Sequence, residues 1–360
     1  VAPAPSEPPV ASEAPVPGES AAVDATDPTA PIGPISWTRS TKGKALAGGG
    51  AAGISQAEDG TMYLCGFAAD QLGGSTAAIW SSTNGAKWTP AKLDAAPGSM
   101  CFGIVAGPNG LVAVGGGDAG HLWTSSNGKR WRDRPIRDTA SLNDVKLDSA
   151  GLLVVGDAGT FPDTVPTLWT SVDGAEWEAH PIGEAGSARH LAVSPDGVIV
   201  VAGKAAGEDG APVIWRSTDA ITWQEMTLPG IAAGPSALPA LEHTPVGFVL
   251  TLVAPGEDGS REGSAWVSAD GSSWLEALVA PEGSLSAVAA VGPEAMLVGP
   301  GGTWRSSDGT TWVFTAEDTF EPYDLLGGII TLADGGWLAA GDTFDPPEAG
   351  IATWIGTATE

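Results

Sequence analysis

Residues Trp169–Trp177 read WTSVDGAEW, and this nine-residue phrase, two tryptophans around Ser, Asp and Gly, recurs along the chain. Copies stand at Trp80–Trp88 (WSSTNGAKW), Trp123–Trp131 (WTSSNGKRW), Trp215–Trp223 (WRSTDAITW), Trp266–Trp274 (WVSADGSSW) and Trp304–Trp312 (WRSSDGTTW). Trp37 in ISWTR has the form of a second half-copy, and Trp354 in ATWIG that of a first half-copy. Of the 15 tryptophans, only Trp337 then stands outside the pattern. An internal repeat of this strength decides architecture before any local element does.

Each copy reads as a tight hairpin. Asn-Gly or Asp-Gly between strand-like runs supplies the positive φ of a short β-turn. The turn-making sets are Ser82, Asn84 and Trp88; Ser125, Asn127 and Trp131; Ser171, Asp173 and Trp177; Ser217, Asp219 and Trp223; Ser268, Asp270 and Trp274; and Ser306, Asp308 and Trp312. Their polar members accept bonds from turn N–H groups, and the indoles offer rigid area for packing between sheets. Asp219-Ala220 departs from the rule, because alanine at positive φ costs about 1 kcal/mol. A three-residue loop would set the two indoles of a copy across from each other. A two-residue turn would send them to opposite faces, and the repeat leaves both open.

Upstream of the boxes lie second hairpins, for example RHLAVS-PDG-VIVVAG at 189–203 and CFGIVAG-PNG-LVAVGG at 101–117. A unit thus has four strands over roughly 40–50 residues, the size of a propeller blade. The expected fold is all-β, a seven-bladed β-propeller of four-stranded antiparallel blades over residues 35–360. Its last blade is expected to join the N-terminal strand (Trp37) to the C-terminal strand (Trp354), which protects the sheet edges.

Residues 1–34 hold nine prolines and neither aromatic nor basic residues, so they are expected to form a disordered Pro/Ala-rich tether. The chain carries 16 basic and 43 acidic residues, a net charge of −27. Five of the acids fall in the tether (Glu7, Glu13, Glu19, Asp24, Asp27), which leaves about −22 on the remainder. Such a surface repels phosphate backbones, so nucleic acid is excluded as a partner. No segment reaches the ~20 apolar residues of a membrane span. An exported location is expected, extracellular or tethered at the cell surface, with a lipid anchor upstream of Val1. Cys65 and Cys101 are the two cysteines, placed on neighbouring strands of adjacent blades. They read either as a disulfide or as two small buried hydrophobes.

The hairpins resemble the Asp-box, or BNR, repeat of sialidases and of many non-enzymatic propellers, including photosystem assembly factors. The resemblance covers residues 35–360. Ser171, Asp173, Gly174 and Trp177 match the usual S-x-D-x-G-x-T-W with one residue deleted between Asp and Gly. The resemblance implies that the boxes sit at the blade periphery and serve structure. Sialidases need an arginine triad and a Tyr–Glu pair. No F-R-I-P-like segment precedes Trp80; of the two tyrosines, Tyr63 falls near the tight-turn end of the first blade, and Tyr323 is placed to reach the open face, with Glu317 and Glu321 nearby. The balance leans against an enzyme, and no catalytic residue is assigned.

Binding residues concentrate on variable loops held by a rigid scaffold, which points to the face carrying the long connections. The channel mouth is expected to be lined by the first residues of the innermost strands: Asn143, Asp144, Arg189, His190, Tyr323 and Asp324. Two loops repeat Gly-Glu-Asp-Gly, making Glu208, Asp209, Glu257 and Asp258 the candidate Ca²⁺ ligands. Asp157 and Asp342 lie on other loops of that face. No other cofactor is expected. The function expected is a non-catalytic recognition module for a protein or glycan at the cell envelope. A sialidase-like glycoside hydrolase of divergent active site, and an assembly factor of a membrane complex, are the alternatives.

Overall fold

The computed structural model describes residues 32–41, 46, 48–69, 74–107, 109–207, 210–231, 236–255, 261–280, 285–299, 301–321, 324–343 and 349–359. Of the expected tether, only its last residues fall among these. The fold is all-β. Among the described residues no helix is long and apolar enough to cross a membrane.

Among the described residues five sheets stand as separate four-stranded units. The first runs outward from Gly49–Gln56 through Met62–Ala69 and Ser75–Ser82 to Thr89–Pro90. Three more begin at Ser187–Val193, Ala237–Thr244 and Ala287–Val291 and follow the same order. The fifth begins at Leu325–Thr331, continues through Trp337–Thr343 and Gly350–Ala358, and ends on Ile35–Arg39. Both chain ends therefore share one sheet, with Trp37 opposite Gly356 and Arg39 opposite Trp354.

The expectation of seven separate blades needs correction between residues 92 and 181. Strands Met100–Gly107 to Arg130–Asp133 and strands Thr139–Leu147 to Glu178–Pro181 form one nine-stranded sheet, with Lys92–Leu93 added at its edge. The two halves meet at a single Cα partnership, Ser141 with Gly116. The physical reason is local: Gly116 carries no side chain, and a Cβ there would stand 3.4 Å from Ser141 Cβ of the next inner strand.

The innermost strands pack side by side in chain order: Gly49–Gln56, Met100–Gly107, Thr139–Leu147, Ser187–Val193, Ala237–Thr244, Ala287–Val291 and Leu325–Thr331. The last returns to the first. Apolar clusters fill the spaces between successive sheets. Trp123 and Trp131 pack with Tyr63, Ile79 and Ile104, whereas Trp80 and Trp88 pack against Leu338 and Ile351. Both indoles of a copy thus enter the same cluster. The register explains it: Trp80 pairs with Pro90, two positions beyond Trp88, so both rings leave the same face. Trp123 and Trp131 are fully buried, and truncating either to alanine would cost about 3–5 kcal/mol.

The boxes are closed by their own side chains. In the last complete copy Asp308 accepts from the N–H groups of Thr310 and Thr311, both at 2.7 Å. Ser306 Oγ accepts from Gly309 N–H at 2.9 Å, and Trp312 Nε1 donates to the Gly309 carbonyl at 3.3 Å. These bonds hold the Asp308 carboxyl below the ordinary carboxylate range, the two backbone donors contributing most. Ala220 occupies the glycine position of its copy at φ 62°. Cys65 and Cys101 are joined by a disulfide, with Cα atoms 5.6 Å apart, that links the first sheet to its neighbour.

Two carboxylates of the loop face tie sheets together. Asp157 accepts from Ala188 N–H and Ser187 Oγ, both at 2.9 Å, and from Ser141 Oγ at 3.0 Å. Asp342 accepts from Ala51 N–H at 2.7 Å, where the closing sheet meets the first. Burial pushes Asp342 up to about 6 despite that bond.

Candidate functional site

Six of the seven innermost strands, all but Ala287–Val291, share an irregularity that shapes the channel between them. Their pairing with the second strand slips between Ala51 and Gly53, Cys101 and Gly103, Leu142 and Asp144, and Ala188 and His190. It slips again between Ala237 and Ala240, and between Leu326 and Gly328. A bulge leaves an extra residue unpaired and re-aims its side chain. In two of these strands that residue is Asn143 or Arg189.

A cavity of about 880 Å³ fills the channel, lined by residues of every innermost strand. It runs from the bulges toward the short-turn end, reaching Gln56, Lys146, His243 and Ala333. This differs from the sequence expectation, which looked to the strand beginnings on the long-loop side. The bulges explain the difference: they turn polar side chains inward midway along the strand, while the preceding Leu142, Ala188 and Leu326 are buried between sheets.

The channel wall is chemically divided. Gly53, Gly103, Ala287, Ala289 and Gly328 make one side small and apolar, whereas three consecutive strands supply the polar side. On the first of these, Asp144 accepts from Val145 N–H at 2.7 Å and from Leu191 N–H of the next strand at 3.0 Å. Asn143 donates from Nδ2 to the Ala188 carbonyl at 2.6 Å. Its buried Oδ1 has no partner among the described residues.

Lys146 and Glu242 form an ion pair that reaches past the intervening strand. Burial works against the Lys146 ammonium, yet the Glu242 and Asp144 carboxylates outweigh it and hold the group above the usual lysine range. Burial pushes Glu242 upward, with Lys146 opposing. The two side chains keep 27% and 36% of their surface open to the channel, so this pair is wet and modest in energy. Burial also lowers His190 below its ordinary 6.5, with Asp144 opposing, so the imidazole is neutral at pH 7. Arg189 is exposed in the channel and forms no ion pair among the described residues.

Of the site residues expected from sequence, Asn143, Asp144, Arg189 and His190 come together here. Asp324 does not: it is buried and accepts from Glu321 N–H at 2.8 Å, capping the turn before its strand. Tyr323 lies outside the described residues, as do Glu208, Asp209, Glu257 and Asp258. Among the described residues no group of three or more His, Cys, Asp or Glu could hold a metal ion. Lys146 and Glu242 were missed: Lys146 stands between Asp144 and Asp148 and Glu242 beside His243, so neither charge is set apart in the sequence.

No protein-family model matches the chain. No curated protein matches it in sequence. Solved structures share its fold. A streptogramin B lyase aligns at 13% identity and TM-score 0.61, covering 90% of this chain and 98% of that one. An ulvan lyase aligns at 12% and 0.56, covering 87% and 95%. Hydrazine synthase of Kuenenia stuttgartiensis aligns at 12% and 0.56, covering 83% and 94%. At these identities the likeness is one of β-propeller fold alone.

Proposed function

We propose that the chain is a recognition propeller of the cell exterior that takes an acidic group, such as a uronate at a glycan end, into its central channel. Arg189 carries the reading. The other channel charges are committed, Asp144 to backbone N–H groups and Lys146 to Glu242, whereas Arg189 stands in the channel with no ion-pair partner among the described residues. A guanidinium there matches a carboxylate fork to fork. Asn143 Oδ1 and the neutral His190 supply polar contacts for ring hydroxyls beside it. The small apolar wall leaves room for the ring itself.

The nine-stranded sheet is read as two adjacent blades, which gives a seven-bladed ring of the Asp-box type. Its single junction and the chain-order packing of the inner strands support that count. The disulfide and the acidic surface favour an oxidising, extracellular setting. Titration calorimetry with galacturonic acid and, as neutral control, galactose tests the function. The uronate is expected to bind wild type and to lose at least about tenfold in affinity with Arg189→Ala, one tenfold step being about 1.4 kcal/mol. Equal binding of both sugars, or no effect of the substitution, would overturn the reading. Release of products from a uronate oligomer would favour a glycan-cleaving enzyme instead.

A further inference from the structure

On a chain of net charge −27, seven of the 16 basic residues fall between Lys87 and Arg137. Arg130, Arg132 and Arg134 alternate along the outer strand Arg130–Asp133 and its continuation, so their side chains leave one face. The buried Trp131 turns to the other. Lys92 lies directly beside Arg130 in the short parallel strand at that edge. All four cations are exposed, and none forms an ion pair among the described residues. Asp133, the acid between them, faces His121 at 3.1 Å instead. Like charges placed opposite each other destabilise a sheet. This row is a cost to the folded protein that a bound anion would relieve.

Beside the row runs a groove of about 700 Å³, lined by the three arginines together with Trp177, Ser126, Asn127 and Asp173. Alternate residues of a strand stand about 6.5 Å apart, so the three guanidinium stems span about 13 Å. That is a linear array of forks beside an indole and short polar side chains.

We propose that this rim groove binds a linear anionic polysaccharide, carboxylated or sulfated, with each arginine holding an acidic group of successive sugar residues. A fork of N–H donors matches such oxyanions geometrically, and the Trp177 ring offers a flat surface for a pyranose. One observation separates this occupant from an acidic peptide. The outer edge of the arginine strand is occupied by Lys92–Leu93 at Arg130 and Trp131, so an acidic peptide cannot add there as a further strand. The site is remote from Arg189 and independent of the channel reading.

The test titrates wild type with dextran sulfate, polygalacturonate, neutral dextran and a single-stranded DNA oligonucleotide. Variants are Arg130→Ser/Arg132→Ser/Arg134→Ser, the single Arg132→Ser, and Arg137→Ser as a neighbouring control outside the groove. One or both anionic polysaccharides are expected to bind, which distinguishes sulfate from carboxylate, while neutral dextran does not. The triple variant should lose at least about tenfold, with the salt slope of log K falling by about 2–3. Arg132→Ser should show part of that loss, and Arg137→Ser none. Melting temperature should hold or rise, since the replaced side chains are exposed and their mutual repulsion is removed. Should the triple variant fail to fold, Arg132→Ser decides alone. Wild-type affinity in the groove variants, binding of neutral dextran, or DNA binding as tight as either polysaccharide would overturn the proposal.

Discussion

Replacing Asp342 by asparagine should stabilise the protein at neutral pH and leave it unchanged under mild acid. Asp342 lies near the end of the strand Trp337–Thr343 and accepts from Ala51 N–H at 2.7 Å, where the last sheet meets the first. Burial raises its carboxyl from the ordinary 3.8 to about 6, with the Ala51 bond opposing. An acid raised on folding keeps its proton in the folded chain at a pH where the unfolded chain has lost it. Its contribution is therefore fully present below about 4 and declines as pH climbs to about 6. At pH 7.5 the whole difference is felt, about 3 kcal/mol at 1.36 kcal/mol per pH unit. The side chain keeps some solvent contact, which brings the expected gain to about 1–2 kcal/mol. The amide of the Asp342→Asn variant would retain an oxygen for Ala51 N–H without carrying charge. Urea unfolding followed by tryptophan fluorescence at about pH 4 and pH 7.5 measures both arms. A destabilisation of equal size at both pH values would refute the reasoning, because the bond would then depend on the carboxylate itself.

Asp157 should behave oppositely: it receives three donors, so Asp157→Ala should cost about 2–4 kcal/mol by the same unfolding assay. Ala220→Gly should relieve the strain at φ 62° and raise stability by about 1 kcal/mol, seen as a higher urea midpoint. Arg305 donates to the Ile32 and Gly33 carbonyls at 2.7 and 2.8 Å and pairs with Glu294, itself 9% exposed. Arg305→Ala should cost about 3 kcal/mol and speed proteolysis at residues 32–34. Replacing Cys65 and Cys101 by serine opens a loop of 36 residues and should cost roughly 4 kcal/mol in the chain-entropy estimate.

The hairpins were legible because their chemistry is local. A Ser, an Asp or Asn, a Gly (Ala220 in one copy) and a Trp within seven residues make up each turn, and the Ser and Asp or Asn oxygens accept its N–H groups. The shared sheet of Trp37 and Trp354 was legible because each half-copy lacked its partner. The fusion of two units through Ser141 and Gly116 was not, since it depends on how close an inner strand comes to the second strand of the neighbouring unit. The bulges were equally hidden: one unpaired residue leaves no mark in an apolar run, yet it turns Asn143 and Arg189 into the channel. Asp157 and Asp342 read as loop carboxylates, but their acceptors face the N–H groups of the following sheet. Lys146 and Glu242 are 96 residues apart, and only the ring closes that distance.

The most direct test of the channel account is a crystal structure of the protein soaked with galacturonic acid. The account predicts the carboxylate on the Arg189 guanidinium, with the sugar ring between His190 and the small apolar wall. A sugar bound on the long-loop side with Arg189 untouched would contradict it.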